Sequence, residues 1–464
     1  MERKFMERAV WIARRGAGWT NPNPMVGAVI VKEGEIIGEG WHEKIGGLHA
    51  ERNALKNCKK DPRGADLYVT LEPCCHYGKT PPCTDAIIRS GIKRVYIGCL
   101  DPNPKVAGKG AEILKDNEIE VMTGIMEKEC RELNDVFFYY IQHDMPYVAL
   151  KYAMTMDGKI AARTGESKWI TGDEARRHTH RLRHRYAAIM AGIGTIISDD
   201  PMLNVRLENG NNPVRIICDS RLRIPETAKV VETAKEIPTI IAICSGDLQK
   251  IRRLEQAGCS VWNLPEEKGH VSLKAVLREL RKQEIDSVLV EGGGILNEAL
   301  VKSGCVNYVH TYIAPKIIGG ESAKTPVEGE GIGKLSEALI LEHIKMKKKL
   351  ALLLVIVVAL VTVLAGCGGA AEIKKPEPDE GATVFDVTGS CKAELNGDTL
   401  IVSGETNLMD GTNGVIAVFN SDGTKAADQK FTKQGNEIKA EFKVGSDWSD
   451  VVYGNIMFDN QKSD

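Results

Sequence analysis

The distribution of apolar and polar positions sorts this chain into short strands and helices up to about residue 345, then changes character. The opening stretch MERKFMERAVWIARRG spaces apolar residues between charges and predicts an amphipathic helix. Ala28-Val-Ile-Val is an apolar, β-branched run, and Gly34 predicts a turn into a second strand at Ile36 and Ile37. Helical composition follows from His49 to Lys56, a strand from Asp66 to Leu71, and a helix from Thr84 to Ser90 stopped by Gly91. A strand from Arg94 to Gly98 and a helix from Gly110 to Asn117 complete the series. Such alternation predicts an α/β sandwich.

After the polar Gln142-His-Asp, a second domain begins near Met145-Pro146, with strands over Tyr147 to Tyr152, Ala187 to Ala191 and Ser287 to Val290. Arg176 to Arg185 is crowded with arginine and histidine, which reads either as a solvated helix face or as an anion site. The last strand runs into Glu291-Gly-Gly-Gly and a helix from Ile295 to Lys302. Glycines let phosphate oxygens approach the backbone, and a helix N-terminus supplies free N–H groups and a positive dipole. This is not the G-x-G-x-x-G pattern, and a bare glycine triplet is also an ordinary tight turn.

From Met346 the pattern is foreign to both domains. MKKKLALLLVIVVALVTVLAGCGG joins lysines, an unbroken apolar run from Leu350 to Gly366 and Leu-Ala-Gly-Cys ending at Cys367, the form of a lipoprotein signal with Cys367 as the lipidation site. As an apolar helix it is nearly long enough to span a bilayer, with the preceding residues on the cytoplasmic side. A charged, proline-bearing linker follows to Gly381, then short β-like runs punctuated by Asn/Asp-Gly turns, which predict a small all-β sandwich over 382–464. The expected domains are therefore 1–144, 145–345, the apolar segment 346–366, the linker 367–381 and the β module.

Composition adds two constraints. Net charge is −2, which gives no reason to invoke nucleic acid. Ten of the twelve cysteines precede residue 346 without a framework spacing, which points to a reducing, cytoplasmic setting for 1–345.

Candidate chemistry centres on His49-Ala-Glu51 and on Pro73-Cys-Cys-His-Tyr-Gly-Lys-Thr-Pro-Pro-Cys83. An imidazole and two thiolates from His49, Cys74 and Cys83 make a zinc site with one place open for water, and Glu51 is placed to carry protons. The pattern is that of the nucleobase deaminases, except that Cys83 lies farther from Cys74 than their P-C-x-x-C spacing allows. Lone histidines and cysteines are usually surface or packing residues; the joint pattern outweighs that reading. Cys75 is left out of the ligand set. Asn23, in the Asn21-Pro-Asn-Pro turn, reads a pyrimidine edge or is plain turn chemistry, and His42, His76 and Lys79 are weaker candidates for meeting a phosphate.

The stretches T-x-P-N-P-x-V-G-A-V-I-V, H-A-E and L-E-P-C-C-H-Y-G-K-T-P-P-C together resemble the deaminase half of the bacterial RibD family, bifunctional deaminase/reductases of riboflavin biosynthesis. A-M-T-M-D-G-K, S-K-W-I-T-G, D-D-P-M-L-N-V-R, V-E-G-G-G and P-V-E-G resemble its reductase half. The resemblance implies a cytidine-deaminase-like domain followed by one similar to dihydrofolate reductase. It implies zinc on His49, Cys74 and Cys83, with Glu51 shuttling protons. It implies NADPH contacts at Ala153, Trp169, Thr195, Asp199, Ser220 and the segment Gly293, Gly294, Ile295, Leu296, Asn297, Glu298 and Ala299. Ser167, Arg183, Leu203, Arg206 and Glu291 would hold a ribosylaminopyrimidine phosphate, and Lys151 and Asp199 are both candidates for proton handling. A homo-oligomer is expected.

The implied reactions are hydrolytic loss of an amino group from the pyrimidine, then hydride reduction of the ribosyl carbon to a ribityl chain. A deaminase of free bases or nucleosides with a reductase-like partner domain is the alternative. Family members continue past the equivalent of Leu335 to Leu339 with further β structure, so the resemblance implies that a closing strand is missing where the Met346 segment begins. Two reading frames joined near Met346 is the preferred explanation; a membrane-anchored enzyme, or a binding module with an inactive enzyme half, are the others.

Overall fold

The structure is a computed structural model that describes residues 2–77 and 81–341 and six strands between Gly389 and Phe458. It separates into two units, 1–340 and 341–464.

In the first half of the larger unit, α1 (Glu2–Ala13) precedes the hairpin β1 (Gly27–Lys32) and β2 (Glu35–Trp41). There follow α2 (Ala50–Lys56), β3 (Asp66–Leu71), α3 (Cys83–Ser90), β4 (Arg94–Cys99), α4 (Lys109–Asp116), β5 (Glu120–Thr123), α5 (Glu127–Leu133) and α6 (Asp135–Gln142). The strand order is β2-β1-β3-β4-β5, with β1 antiparallel to both neighbours and β3 to β5 parallel. Successive residues of a strand face opposite sides, and both sides here are covered. Ala28, Ile30, Leu67, Val69, Val95 and Ile97 pack against α2, α3 and α4 through Ala50, Ala54, Ile87, Ala111 and Leu114. Val29, Val31, Tyr68 and Tyr96 pack against α1, α5 and α6 through Phe5, Met6, Cys130 and Phe137. Hence the interior positions of β1, β3 and β4 are almost all apolar, as the expected sandwich requires.

The second half contains β6 (Tyr147–Thr155), α7 (Asp173–Arg185), β7 (Ala188–Gly192), α8 (Ile193–Asp199), β8 (Val214–Cys218), α9 (Lys229–Glu232), β9 (Thr239–Ile243) and α10 (Leu248–Gln256). It continues with β10 (Cys259–Asn263), the small hairpin β11 (Glu266–Glu267) and β12 (His270–Val271), α11 (Leu273–Lys282), β13 (Ser287–Val290), α12 (Gly294–Ser303) and β14 (Tyr308–Ala314). Seven strands form one parallel sheet in the order β10-β9-β8-β7-β13-β6-β14. Parallel sheets bury both faces, which is why β7 and β13 read as continuous apolar runs. β14 is the outer strand among the described residues, and its Ile313 is exposed.

The second unit carries two three-stranded antiparallel sheets, β15-β16-β19 and β18-β17-β20, from β15 (Gly389–Asn396), β16 (Thr399–Thr406), β17 (Asn413–Asn420), β18 (Lys425–Thr432), β19 (Glu437–Lys443) and β20 (Val452–Phe458). Among the described residues no helix is long and apolar enough to cross a membrane. The expected apolar helix, Cys367 and the linker lie outside the described residues.

Candidate active sites

The metal cluster forms where two helix N-termini meet a loop. His49 is the extended residue that caps α2 (φ −72°, ψ 162°), and Glu51 lies in that helix's first turn, 3% exposed. α2 lies close on β2 because position 40 is glycine; a Cβ there would stand 2.2 Å from the backbone N of Ala54. Cys83 opens α3, and its N–H donates to the Cys74 carbonyl at 3.0 Å while lying 3.3 Å from the Cys74 Sγ. A helix N-terminus favours negative charge, here a thiolate.

Both sulfurs lie 3.4 Å from His49 Nδ1, and the three ligand atoms lie within 4.8 Å of one another. Bonds of about 2.3 Å to sulfur and about 2.0 Å to nitrogen, opened to the tetrahedral angle, span roughly 3.5 Å, so the donor set and its spacing fit zinc. The facing Cys83 and His49 draw the Cys74 thiol down to about 4, while Cys74 and burial push the Cys83 thiol well up. Burial, followed by the Cys74 charge, raises the Glu51 carboxyl above its ordinary value. A carboxyl that holds its proton more readily is suited to passing one on.

The neighbouring candidates divide. Cys75 points away, 3.7 Å from the Lys105 carbonyl. His42 is 3% exposed with both ring nitrogens engaged, Nδ1 at 3.0 Å from the Leu48 carbonyl and Nε2 at 3.2 Å from Asn23 Nδ2. Burial lowers its pKa, and the two contacts brace the ring between the Asn23 turn and the Leu48 backbone. The Nδ1 of His76 is buried without a hydrogen-bond partner among the described residues, and Lys79 lies outside them. Asp101 was missed by sequence reasoning. Burial holds its carboxyl up at about 6, with the Glu72 and Cys74 charges adding to the effect. Glu72 fixes that loop by accepting backbone N–H bonds from Asp101, Gly108 and Ala111 at 3.2, 2.9 and 3.1 Å. The signal was present: Asp101-Pro-Asn-Pro echoes Asn21-Pro-Asn-Pro.

The second site is a cleft of about 1260 Å³ across the carboxyl ends of β6, β7, β8 and β13, where open parallel sheets bind ligands. Ala153, Trp169, Thr195, Asp199, Ser220, Gly293, Gly294, Ile295, Leu296, Glu298 and Ala299 line it, as do Lys151, Ser167, Arg183, Leu203, Arg206 and Glu291. Asn297 does not. It is fully buried on the opposite face of α12, where its Nδ2 donates to the Pro326 carbonyl at 2.7 Å.

Arg183 forks onto Glu291 at 2.6 and 3.0 Å, and Lys151 Nζ lies 3.6 Å from the same carboxylate. Burial alone would raise Glu291, but the Arg183 and Lys151 charges outweigh it and hold the carboxyl at about 2. Arg206 lies 3.2 Å from His180, whose pKa falls to about 4 through burial and then the charges of Arg183 and Arg206. Sequence reasoning did not single out His180, which was hidden among the basic residues of α7. With His180 neutral, the cluster of Lys151, Arg183, Arg206 and Glu291 retains excess positive charge. The guanidinium of Arg176 stacks on Trp169 at 4.4 Å.

Comparison with known proteins bears on both halves. Residues 1–99 match the family described as the cytidine and deoxycytidylate deaminase zinc-binding region, and 146–351 match the RibD C-terminal domain. The chain is 54% identical over 338 residues to the riboflavin biosynthesis protein RibD of Actinobacillus pleuropneumoniae, covering 73% of this chain and 90% of that one. It is 47% identical over 350 residues to RibD of Aquifex aeolicus, covering 75% and 94%. Among solved structures, RibD of Acinetobacter baumannii superposes with a TM-score of 0.66 at 39% identity, covering 73% of this chain and 93% of that one. The Thermotoga maritima diaminohydroxyphosphoribosylaminopyrimidine deaminase/5-amino-6-(5-phosphoribosylamino)uracil reductase superposes with a TM-score of 0.65 at 40% identity, with the same coverage. This chain belongs to the RibD family of riboflavin biosynthesis proteins, and the two halves of its larger unit are a zinc-dependent deaminase and an NADPH-dependent reductase.

Proposed function

We propose that the deaminase acts on a diaminohydroxyphosphoribosylaminopyrimidine and that the reductase acts on the resulting 5-amino-6-(5-phosphoribosylamino)uracil, the compounds in the name of the Thermotoga relative. The observation that carries this reading is the His49, Cys74 and Cys83 cluster with Glu51 buried beside it. These three residues would hold the metal. When bound, zinc supplies a water acidic enough to ionise near neutral pH. Glu51 accepts a proton at its carboxylate and returns it to the departing amino nitrogen. Asn23, with one amide hydrogen turned to His42, keeps its carbonyl for the pyrimidine edge.

In the reductase cleft, Arg183, Arg206 and Lys151 offer the positive field for the substrate phosphate, with Glu291 fixing Arg183 in place. The open backbone at Gly293 and the first N–H groups of α12 face the anionic part of the cofactor. When bound, NADPH supplies the hydride. Lys151, grouped with Arg183 and Glu291, is the better placed of the two proton-handling candidates; Asp199 instead accepts from the Ser198 hydroxyl. Ammonia release from the ribosylaminopyrimidine phosphate, followed by NADPH oxidation, tests the assignment. Ammonia from cytidine or guanine, but none from the phosphorylated compound, would transfer it to the alternative.

The tail is read as a separate module, a small β sandwich behind a lipoprotein-like segment ending at Cys367. The six strands in two antiparallel sheets support that reading. One uninterrupted genomic read across the codons for Leu335 to Cys367 tests it. A break in frame means two proteins, and an intact frame means an enzyme tethered to the cytoplasmic face of a membrane. The domain limits 1–144 and 145–345, and a cytoplasmic setting for them, belong to the same reading; every cysteine among the described side chains is free.

A further inference from the structure

The loop that carries Asn23 belongs to the deaminase half, yet it is fastened to the reductase half. Asn21 Nδ2 lies 3.0 and 2.9 Å from the two carboxylate oxygens of Asp286, immediately before β13. The Gly18 carbonyl accepts from Asn211 Nδ2 at 3.0 Å, and the Trp19 ring meets His184 edge-on at 5.7 Å. Asp286 is 1% exposed and also accepts from the Ser287 hydroxyl at 2.6 Å. A carboxylate buried this deeply is costly unless its partners are fixed.

Two residues beyond Asn21, the Asn23 N–H donates to the Thr20 carbonyl at 2.7 Å, which closes the turn. The Asn23 side chain then meets His42 at 3.2 Å, and the His42 ring lies edge-on to the metal ligand His49 with centroids 5.4 Å apart. A continuous series of contacts therefore runs from Asp286 in one domain to His49 in the other.

We infer that Asp286, a residue of the reductase half, is a positioning residue for the deaminase. By holding Asn21 it fixes the Asn-Pro-Asn-Pro turn and so the orientation in which the Asn23 amide is presented beside the metal ligands. Asp286 touches no substrate itself. The inference rests on the reading of Asn23 as a substrate contact. It also gives the deaminase a reason to be joined to this particular reductase, since one of its loops is completed by the other domain.

The test uses the full chain and a donor–acceptor exchange. N21D sets two carboxylates against each other, D286A removes the acceptor, and N21D/D286N rebuilds the pair with the roles reversed. Deaminase KM and kcat, bound zinc and reductase activity are measured for each, with N23A alongside. The expected result is a deaminase KM raised about tenfold in N21D, the scale of one lost hydrogen-bonded contact, with zinc content and reductase activity unchanged and KM restored in N21D/D286N. A wild-type deaminase KM in both N21D and D286A overturns the inference, and so does a joint loss of both activities that the exchange does not restore. An N23A enzyme with unchanged KM removes the reading of Asn23. An N23A enzyme with raised KM beside silent N21D and D286A removes the Asp286 inference alone.

Discussion

The two sites of this molecule are built on different plans. The deaminase centre draws its ligands from two helix N-termini and one loop between His49 and Cys83, with the ligand atoms within 4.8 Å of one another and Glu51 buried beside them. The reductase cleft is an open volume of about 1260 Å³ lined by residues from Lys151 to Glu330. A metal demands a few atoms at fixed distances, whereas a dinucleotide and a sugar phosphate demand a long surface of suitable shape and charge. Damage to the first should therefore be all-or-none, and damage to the second graded.

The sharpest expected loss follows from that contrast. C83S or H49A should leave the chain without stoichiometric zinc and without deaminase activity, while NADPH-dependent reduction persists, as metal analysis and the two assays on one preparation would show. E51Q should retain zinc and lose about 10²- to 10⁴-fold in deaminase kcat, the usual worth of a positioned proton carrier. Equal loss of both activities in C83S would mean that the metal cluster supports the whole fold rather than one site.

The next effect belongs to the cleft. R183A leaves Glu291 buried without its bidentate partner, and breaking such a pair costs about 3–5 kcal/mol. Lys151 remains nearby, so the lower end is expected, read as a lowered denaturation midpoint together with weak reductase activity. Glu291 also fixes a pH dependence. Its carboxyl is held at about 2 against an ordinary 4.5, so its stabilising contribution is complete above pH 4.5 and lost as pH falls from there through 2. The stability difference between wild type and E291Q should narrow across that window. A constant difference would mean that folding does not lower the Glu291 pKa, and that Arg183 and Lys151 do not hold its charge.

The same contrast explains what could be read in advance. His49, Glu51, Cys74 and Cys83 were legible because metal-ligand chemistry leaves few alternatives for that combination, and the strands were legible because both faces of each sheet are buried. Asn297 alone of the segment from Gly293 to Ala299 stays off the cleft, because a helix turns about 100° per residue and its side chain points away from those of Ile295, Glu298 and Ala299. His180 and His42 were opaque for another reason. Their roles depend on burial and on partners that only the fold brings together, Arg206 for one and Asn23 for the other. Asp286 was out of reach entirely, since its partner Asn21 lies 265 positions away.

The smallest expected effect separates the jobs of adjacent glycines in Glu291-Gly-Gly-Gly. At Gly294 an added Cβ would stand 2.4 Å from Glu328 Cγ and 2.7 Å from the Thr325 carbonyl oxygen. The Glu328 side chain can move aside, but the backbone oxygen cannot move so easily, so G294A should lose about 1–3 kcal/mol of stability through overpacking. At Gly293 the nearest atom to a new Cβ is Thr195 Oγ1 at 3.8 Å, ordinary contact distance, and the position faces the cleft. G293A should therefore melt like the wild type. Its methyl group would stand where the anionic part of NADPH approaches the backbone, and binding followed by nucleotide fluorescence should weaken about tenfold, or about 1.4 kcal/mol. N297A supplies the opposite control: it loses a buried hydrogen bond to Pro326, worth about 1 kcal/mol, with nucleotide affinity unchanged. Unchanged NADPH affinity in G293A would move the cofactor off the α12 N-terminus and onto another wall of the cleft.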